Sequence, residues 1–331
     1  MPGMSGRPAD VLSQAVFHTL FASLFVEALV RMWKVRDPGQ RIALRLTALG
    51  YPLVLFPALL LLFPFRAEEA FRDQIALLAG RRWEEVRFLG IGLFQWWTGG
   101  LAALGTALLL SDLVPFLLRR RAPRLEPVPP DPGSAAALEA ALAPIRSRLG
   151  REPPSLQFLD RGAPVLFCTG VRRPAVVVSR GAVQLLDQGE LRAALAHEIA
   201  HLARRDPAAS WAVLAARIAL AFNPAFQVVS RALARDAEFL ADEHAAALGG
   251  DRLALASGLL KLHRATSASP ALRRTLPFAA ALSEPLARVR ARDVEARCRR
   301  LLEPAPPRLP FGVARVALAG IALTALLFFV V

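Results

Sequence analysis

Four long apolar stretches constrain the fold of this chain more than any other feature of its sequence. Each is about 20 residues long, which is the length an α-helix needs to cross the hydrocarbon core of a bilayer. They are Val11–Val30, Leu46–Phe65, Phe88–Leu110 and Phe311–Val331. The hydrophobic content of 54% is high for a soluble protein. We therefore predict a mainly α-helical membrane protein with four transmembrane helices that interacts with the lipid bilayer.

The basic charge of the chain agrees with this interpretation. The formal net charge is +14, and Arg residues that flank apolar stretches are typical of the cytoplasmic loops of membrane proteins. Neither zinc-finger spacing nor interleaved Arg and aromatic residues are present, so we expect no nucleic-acid partner. More Lys and Arg lie in the first loop, between the first and second stretches, and after the third stretch than in the segments predicted on the opposite side of the membrane. This bias predicts a protein of the cell (inner) membrane with those segments in the cytoplasm, although the Arg-containing second loop counts against it.

The segment between the third and fourth stretches predicts a separate α+β domain. After the three predicted membrane helices of residues 1–121, residues 122–134 are Pro-rich and predict a stiff linker. Residues 135–305 then mix helical and strand patterns. The predicted strands are Ser155–Asp160, Pro164–Cys168 and Pro174–Ser179. The two cysteines, Cys168 and Cys298, give no disulfide framework, which fits a reducing compartment.

Within this domain, one short motif carries the chemistry, His197-Glu198-Ile199-Ala200-His201. Ala and Leu dominate its surroundings, and neither Pro nor Gly interrupts them, so the motif is predicted to be helical. Histidines four residues apart lie on one helix face and can bind one metal ion. Glu198 can hold the water that completes a catalytic zinc shell. The pattern H-E-x-x-H is typical of zinc peptidases, and the alternative is a solvated helix face with a coincidental pair of histidines.

A catalytic zinc site also needs a third protein ligand. A later predicted helix supplies candidates, because Glu238 and Asp242 are four residues apart and share a face. This spacing suits one carboxylate that binds the metal and a second that accepts a hydrogen bond from a ligating imidazole. For Glu238, an ordinary charged helix face is the alternative.

Together, these motifs resemble the gluzincin membrane metallopeptidases, in which H-E-x-x-H is followed by E-x-x-x-D. The chain is similar to two branches of these enzymes: the beta-lactam-sensor type (BlaR and MecR) and the HtpX and CAAX prenyl protease type. Phe222-Asn223-Pro224 and the order of three spans, zinc domain and fourth span resemble the sensor type. Ala241, the residue before Asp242, resembles the HtpX type, because the sensor type usually has Cys at this position. No penicillin-binding sensor sequence follows the fourth stretch, so we do not expect antibiotic sensing.

The resemblance also implies a role for each candidate residue. One zinc ion per chain is bound by His197, His201 and Glu238. Glu198 acts as the general base and then donates the proton to the leaving amine, and Asp242 orients a ligating imidazole. His244 or Arg235 is the candidate for a positive group near the developing oxyanion, with a surface position as the alternative for either. The strand Val176–Ser179 resembles the edge strand that holds an extended substrate, with a core strand as the alternative.

We therefore expect a membrane zinc endopeptidase that hydrolyses a protein or peptide substrate in regulated proteolysis or signalling. The substrate expected is a repressor or a damaged membrane protein. The alternatives are an HtpX-like quality-control protease, a signal transducer with a weakly active zinc domain, and a membrane scaffold without metal. The sequence specifies neither the oligomeric state nor the particular substrate.

Overall fold

The described part of the protein is mostly helical and contains a three-stranded mixed sheet and a short antiparallel pair of strands. The computed structural model describes residues 8–75, 86–120, 126–150, 152–267, 291–304 and 312–329. The long helices are α1 (Pro8–Met32), α2 (Pro38–Leu62), α4 (Leu93–Arg120), α5 (Pro132–Leu149), α7 (Gln188–Ala203), α8 (Asp206–Ala219), α9 (Pro224–Ala247), α10 (Arg252–Ser267), α11 (291–302) and α12 (Gly312–Phe328). Two short helices are α3 (Glu69–Gln74) and α6 (Arg180–Leu185). The strands are β1 (Arg87–Phe88), β2 (Ile91–Gly92), β3 (Ser155–Leu159), β4 (Leu166–Thr169) and β5 (Ala175–Ser179).

Contacts divide the chain into two compact units. The first consists of Met1–Ala122, Val213–Asp236 and Pro307–Val331. The second consists of Pro123–Ala212 and Ala237–Pro306. Most of the predicted zinc domain belongs to the second unit, but Val213–Asp236, which lies inside its predicted bounds, belongs to the first.

Helices in the first unit occupy all four positions of the predicted spans. By length and composition, one helical stretch among the described residues can cross a membrane, Gln95–Val114 within α4, and its mean hydropathy is 1.4. The last helix, α12, is apolar but has 17 residues. Helices α1, α2 and α12 pack together around buried aliphatic side chains such as Val26, Leu44 and Leu323.

The start of the third predicted span differs from the prediction. Residues Arg87–Phe88 and Ile91–Gly92 form an antiparallel pair, so the helix begins at Leu93 and not at Phe88. Gly90 has a φ of 77°, a conformation that glycine adopts without steric cost, and this allows the tight turn.

The sheet of the second unit has the order β3-β5-β4. Strand β5 is parallel to β3 and antiparallel to β4, and all five of its residues are buried. Its β-branched run Val176-Val177-Val178 suits a strand that is covered on both faces. The prediction that Val176–Ser179 is an edge strand was therefore wrong. Strands β3 and β4 form the two edges of this sheet, and Cys168 of β4 pairs with Val176.

Helix α7 runs through the core of the second unit and is fixed at its start. The carboxylate of Asp187 accepts a hydrogen bond from the Glu190 backbone N–H at 2.8 Å, and Glu190 accepts one from the Asp187 N–H at 2.9 Å. This capping box satisfies backbone donors that the first turn leaves without partners. Leu191, Leu195 and Ile199 are almost completely buried against the sheet, α5 and α10.

Candidate metal centre

The two histidines of the motif lie side by side on α7, as their spacing predicts. Their Nε2 atoms are 3.0 Å apart, and the rings meet edge to face. The side chains of His197 and His201 are only 6% and 11% exposed. Buried imidazoles need polar partners, and these two direct the same ring nitrogen to the same point.

Glu238 of α9 completes a three-residue cluster. Its Oε2 lies 3.5 Å from His197 Nε2, and its Oε1 lies 3.6 Å from His201 Nε2. Two ligand atoms of a tetrahedral zinc ion are about 3.3 Å apart, given zinc–ligand bonds of about 2.0–2.1 Å. The three separations, 3.0, 3.5 and 3.6 Å, are close to this value. The donor set of two imidazoles and one carboxylate therefore fits zinc, and the 40% exposed Glu238 side chain leaves one side of the cluster accessible.

The other nitrogen of His197 contacts the carboxylate that the sequence analysis selected. His197 Nδ1 lies 3.0 Å from Asp242 Oδ1, and the Asp242 side chain is 3% exposed. A carboxylate at Nδ1 leaves Nε2 for the metal and fixes the orientation of the ring. Burial opposes a charge on His197, but hydrogen bonds to Asp242 and Glu238 outweigh it and raise the pKa of the metal-free imidazole to about 9.

His201 has an equivalent partner that sequence reasoning did not assign. Its Nδ1 lies 2.7 Å from Oδ2 of Asp206, the first residue of α8. Both imidazoles therefore have a carboxylate at Nδ1 and direct Nε2 to the cluster, which is the arrangement expected of metal-ligating histidines. The sequence signal is an acidic residue just beyond the second His, but the pair Asp206-Pro207 by itself indicates only the end of the motif helix.

Arg297 of α11 is the second residue that sequence reasoning missed. Its guanidinium donates to Asp242 through Nη2 at 2.6 Å and Nε at 2.9 Å, and Nη1 lies 2.8 Å from Glu238 Oε2. Its Nη2 is also 3.2 Å from His197 Nε2. Its helix is rich in Arg, a composition typical of a solvated helix face, but this side chain is only 12% exposed. One Arg among many carries no sequence signal of its own.

This arginine links the two carboxylates electrostatically. Burial raises the pKa of Glu238 and Asp242, but contacts with His197 and Arg297 outweigh it, so both pKa values lie below the ordinary range. For Arg297 itself, burial opposes the charge, and the two carboxylates outweigh it and raise its pKa. The charged forms of all three groups therefore stabilise one another at the cluster.

Glu198 is partly exposed on α7, next to strand β4. Burial and the nearby Glu198 carboxylate raise the pKa of the Cys168 thiol on β4 to about 12. Glu198, the candidate base, therefore lies near the edge strand β4. His244 is two residues beyond Asp242, which places it about 160° around the helix from that carboxylate. Arg235 is exposed, and for both residues a role at the oxyanion stays a prediction.

Comparison with known proteins agrees with this geometry. Residues 155–287 match the family model described as BlaR1 peptidase M56. A peptidase M56 domain is present in this chain. The match includes the three metal-ligand candidates, while Arg297 lies beyond the end of the M56 match.

Curated relatives lead to the same group of enzymes. The chain is 30% identical over 172 residues to a Protease HtpX homolog of Methanopyrus kandleri, covering 42% of this chain and 54% of the relative. It is 33% identical over 174 residues to one of Ralstonia nicotianae, covering 43% of this chain and 58% of the relative. The chain thus spans just over half the length of these relatives. The predicted resemblance to membrane zincin-type metallopeptidases of the BlaR and HtpX types is confirmed.

Proposed function

We propose that this protein is a membrane-embedded zinc endopeptidase that cleaves peptide bonds in protein substrates. The observation that carries the proposal is the convergence of His197, His201 and Glu238 with a carboxylate on Nδ1 of each imidazole. An H-E-x-x-H helix with this arrangement is the catalytic centre of zinc peptidases. One zinc ion per chain is the cofactor, and Asp242 and Asp206 orient its ligands.

The proposed topology has four transmembrane helices around this domain. The spans are residues 11–30, 46–65, about 93–110 and 311–331, with the linker at 122–134 and the peptidase domain at 135–305. Helices at these positions and the basic loops beside them support this arrangement. The peptidase domain lies on the cytoplasmic side of the inner membrane in this proposal.

In the proposed mechanism, the chain supplies the proton transfers and holds the reacting groups in place. His197, His201 and Glu238 would hold the zinc ion, which would supply Lewis-acid chemistry and a lowered pKa of water. Glu198 accepts a proton from the attacking water and later donates it to the leaving amine nitrogen. Arg297 is a positioning residue, because its guanidinium holds Glu238 and Asp242 in one geometry.

The substrate is proposed to bind as an extended segment along β4. This strand lies at the edge of the sheet, and no other strand in the described part of the chain pairs with its outer side. Main-chain hydrogen bonds to such an edge recognise extended peptides with little dependence on sequence. Cys168 on β4 interacts with Glu198, so a peptide on this edge passes the candidate base.

Two substrate classes remain as candidates for this site, a repressor in a signalling pathway and a damaged membrane protein. Similarity to HtpX homologs together with Ala241 favours the second, and Phe222-Asn223-Pro224 favours the first. A signal transducer with a weakly active zinc domain is the non-enzymatic alternative.

Replacement of the candidate base tests the activity. We expect Glu198→Gln to lower cleavage of an unfolded membrane-protein substrate by about 10²–10⁴-fold, because the amide cannot accept the proton. Zinc content should stay near one ion per chain, whereas His197→Ala should lose it, as measured by elemental analysis of purified protein. Wild-type protein without zinc, or equal cleavage by wild type and Glu198→Gln, contradicts the proposal.

A further inference from the structure

Helix α8 has an outer surface that does not suit water. None of its residues is buried, and Trp211 and Ile218 are 46% and 50% exposed. Apart from Ser210, its exposed residues between positions 209 and 219 are all apolar: Ala209, Trp211, Ala212, Ala215, Ile218 and Ala219. A continuous apolar surface of this kind on a helix marks contact with another apolar phase.

The polar side chains of this region point inward. Arg217 is 14% exposed, and its guanidinium donates to Asp112 of α4 at 2.5 Å and to the Gln227 side chain at 2.9 Å. Arg231 of α9 also donates to Asp112, at 2.9 Å. Gln227 is completely buried, whereas Val228 beside it is 54% exposed. Polar inside and apolar outside is the reverse of a water-soluble helix pair, and it is the pattern expected in lipid.

The turn between α8 and α9 contains side chains that bind several of its backbone groups. Gln227 Nε2 donates to the carbonyl oxygens of Arg217 and Leu220, at 3.0 and 3.1 Å. The Asn223 side chain accepts from the Phe226 N–H at 3.1 Å. In water, solvent satisfies the last carbonyls of a helix, but in hydrocarbon the protein itself must do so.

The same turn packs against the middle of α4. A Cβ atom at Gly105 would lie 2.6 Å from the Ala221 carbonyl oxygen and 2.9 Å from the Asn223 nitrogen, so the two backbones are in direct contact there. Small residues allow such close approach between membrane helices. Gly105 lies at the centre of Gln95–Val114, the stretch that is long and apolar enough to cross a bilayer.

We propose that α8 and the first half of α9 form a re-entrant hairpin that enters the bilayer to about the middle of α4. Its outer surface, including Ile218 and Val228, contacts lipid acyl chains, while Arg217 and Arg231 donate hydrogen bonds to Asp112 and Gln227 is buried beside Arg217. The grouping of Val213–Asp236 with the first unit supports this placement. The inference rests on the membrane part of the proposed function, because it requires that α4 spans the bilayer.

Depth-dependent fluorescence quenching tests the hairpin. The full chain, with Cys168 and Cys298 replaced by Ala, receives one new cysteine that is labelled with a polarity-sensitive fluorophore. It is reconstituted in phosphatidylcholine–phosphatidylglycerol vesicles with nitroxide lipids labelled near the headgroup or deep in the acyl chain. Ile218→Cys reports on the hairpin and Leu104→Cys on α4. Leu253→Cys is the matched control, an exposed apolar position (61%) on α10.

We expect deep nitroxides to quench the labels at positions 218 and 104 by about twofold or more and the label at 253 hardly at all. A membrane-impermeant maleimide should react about tenfold more slowly with Ile218→Cys than with Leu253→Cys. Quenching at 104 but not at 218 overturns the hairpin and leaves the spanning helix intact. Absence of quenching at both positions overturns the membrane part of the proposed function as well.

Discussion

Helices α7 and α8 follow one another with only Arg204 and Arg205 between them, and both are rich in Ala and other apolar residues. Eleven of the 16 residues of α7 are buried, whereas none of the 14 residues of α8 is buried. Helix α7 has the sheet, α5 and α10 around it, and its histidines direct their polar atoms to one point. Helix α8 instead places Arg217 inward and Ile218 outward. An apolar composition therefore predicts removal from water, but it does not predict whether protein or lipid replaces the water.

The largest expected effect is a difference in the free energy of unfolding between two variants, one with a side chain truncated on α7 and one with a side chain truncated on α8. Leu195→Ala on α7 should lower the free energy of unfolding by about 2–5 kcal/mol, because Leu195 is fully buried and its loss leaves a cavity. Ile218→Ala on α8 should change it by less than about 0.5 kcal/mol, because the side chain contacts little protein. Denaturant unfolding of the full chain in detergent micelles measures both. A loss at Ile218 as large as that at Leu195 would show that α8 packs against protein.

A smaller effect tests whether α8 contributes to the candidate metal site of α7. Asp206→Asn should weaken zinc binding by about 10–100-fold, because the amide holds the His201 imidazole less strongly at Nδ1. Titration against a zinc chelator measures this change. Asp160→Asn is the control, since Asp160 forms an exposed pair with Arg180 at 2.7 Å and should leave zinc affinity unchanged. Equal affinities for Asp206→Asn and wild type would remove Asp206 from the metal site.

The smallest expected effect is a proton released when zinc binds to the buried face of α7. The pKa of metal-free His197 is about 9, so at pH 7 its imidazole carries a proton that zinc must displace. Zinc binding at pH 7 should therefore release about one proton, and apparent affinity should rise with pH until about pH 9. Calorimetry in buffers of different ionisation enthalpy measures the release. Asp242→Asn should reduce it, because Asp242 is the strongest group that raises this pKa, and binding without proton release would contradict the assignment.

Much of the candidate metal site could be predicted because its signals are local. A spacing of four residues places His197 and His201 together on any α-helix, and the same rule pairs Glu238 with Asp242. The capping box at the start of α7 depends on residues three apart. By contrast, Arg297 lies about one hundred residues from His197, and the sequence does not distinguish it from the other arginines of its helix.

The edge position that the family resemblance implied for Val176–Ser179 was wrong for a related reason. The run Val176-Val177-Val178 predicts a buried strand, and this is what the structure contains. Its position in the sheet depends on which strands pair on either side, and pairing order is not encoded in the strand itself. The edge strand next to Glu198 is β4, a less regular stretch that contains Phe167 and Cys168.

Features that depend on periodicity along the chain follow from the order of the residues: the apolar stretches, the helical H-E-x-x-H motif and the carboxylates four residues apart on a later helix. Which distant groups meet depends on how the chain folds. It placed Asp206 on His201 and Arg297 between two carboxylates, and it turned Arg217 inward against Asp112. The physical reason is that helix and strand periods arise from backbone geometry, whereas the choice of partner depends on surfaces that come together only when the chain has folded.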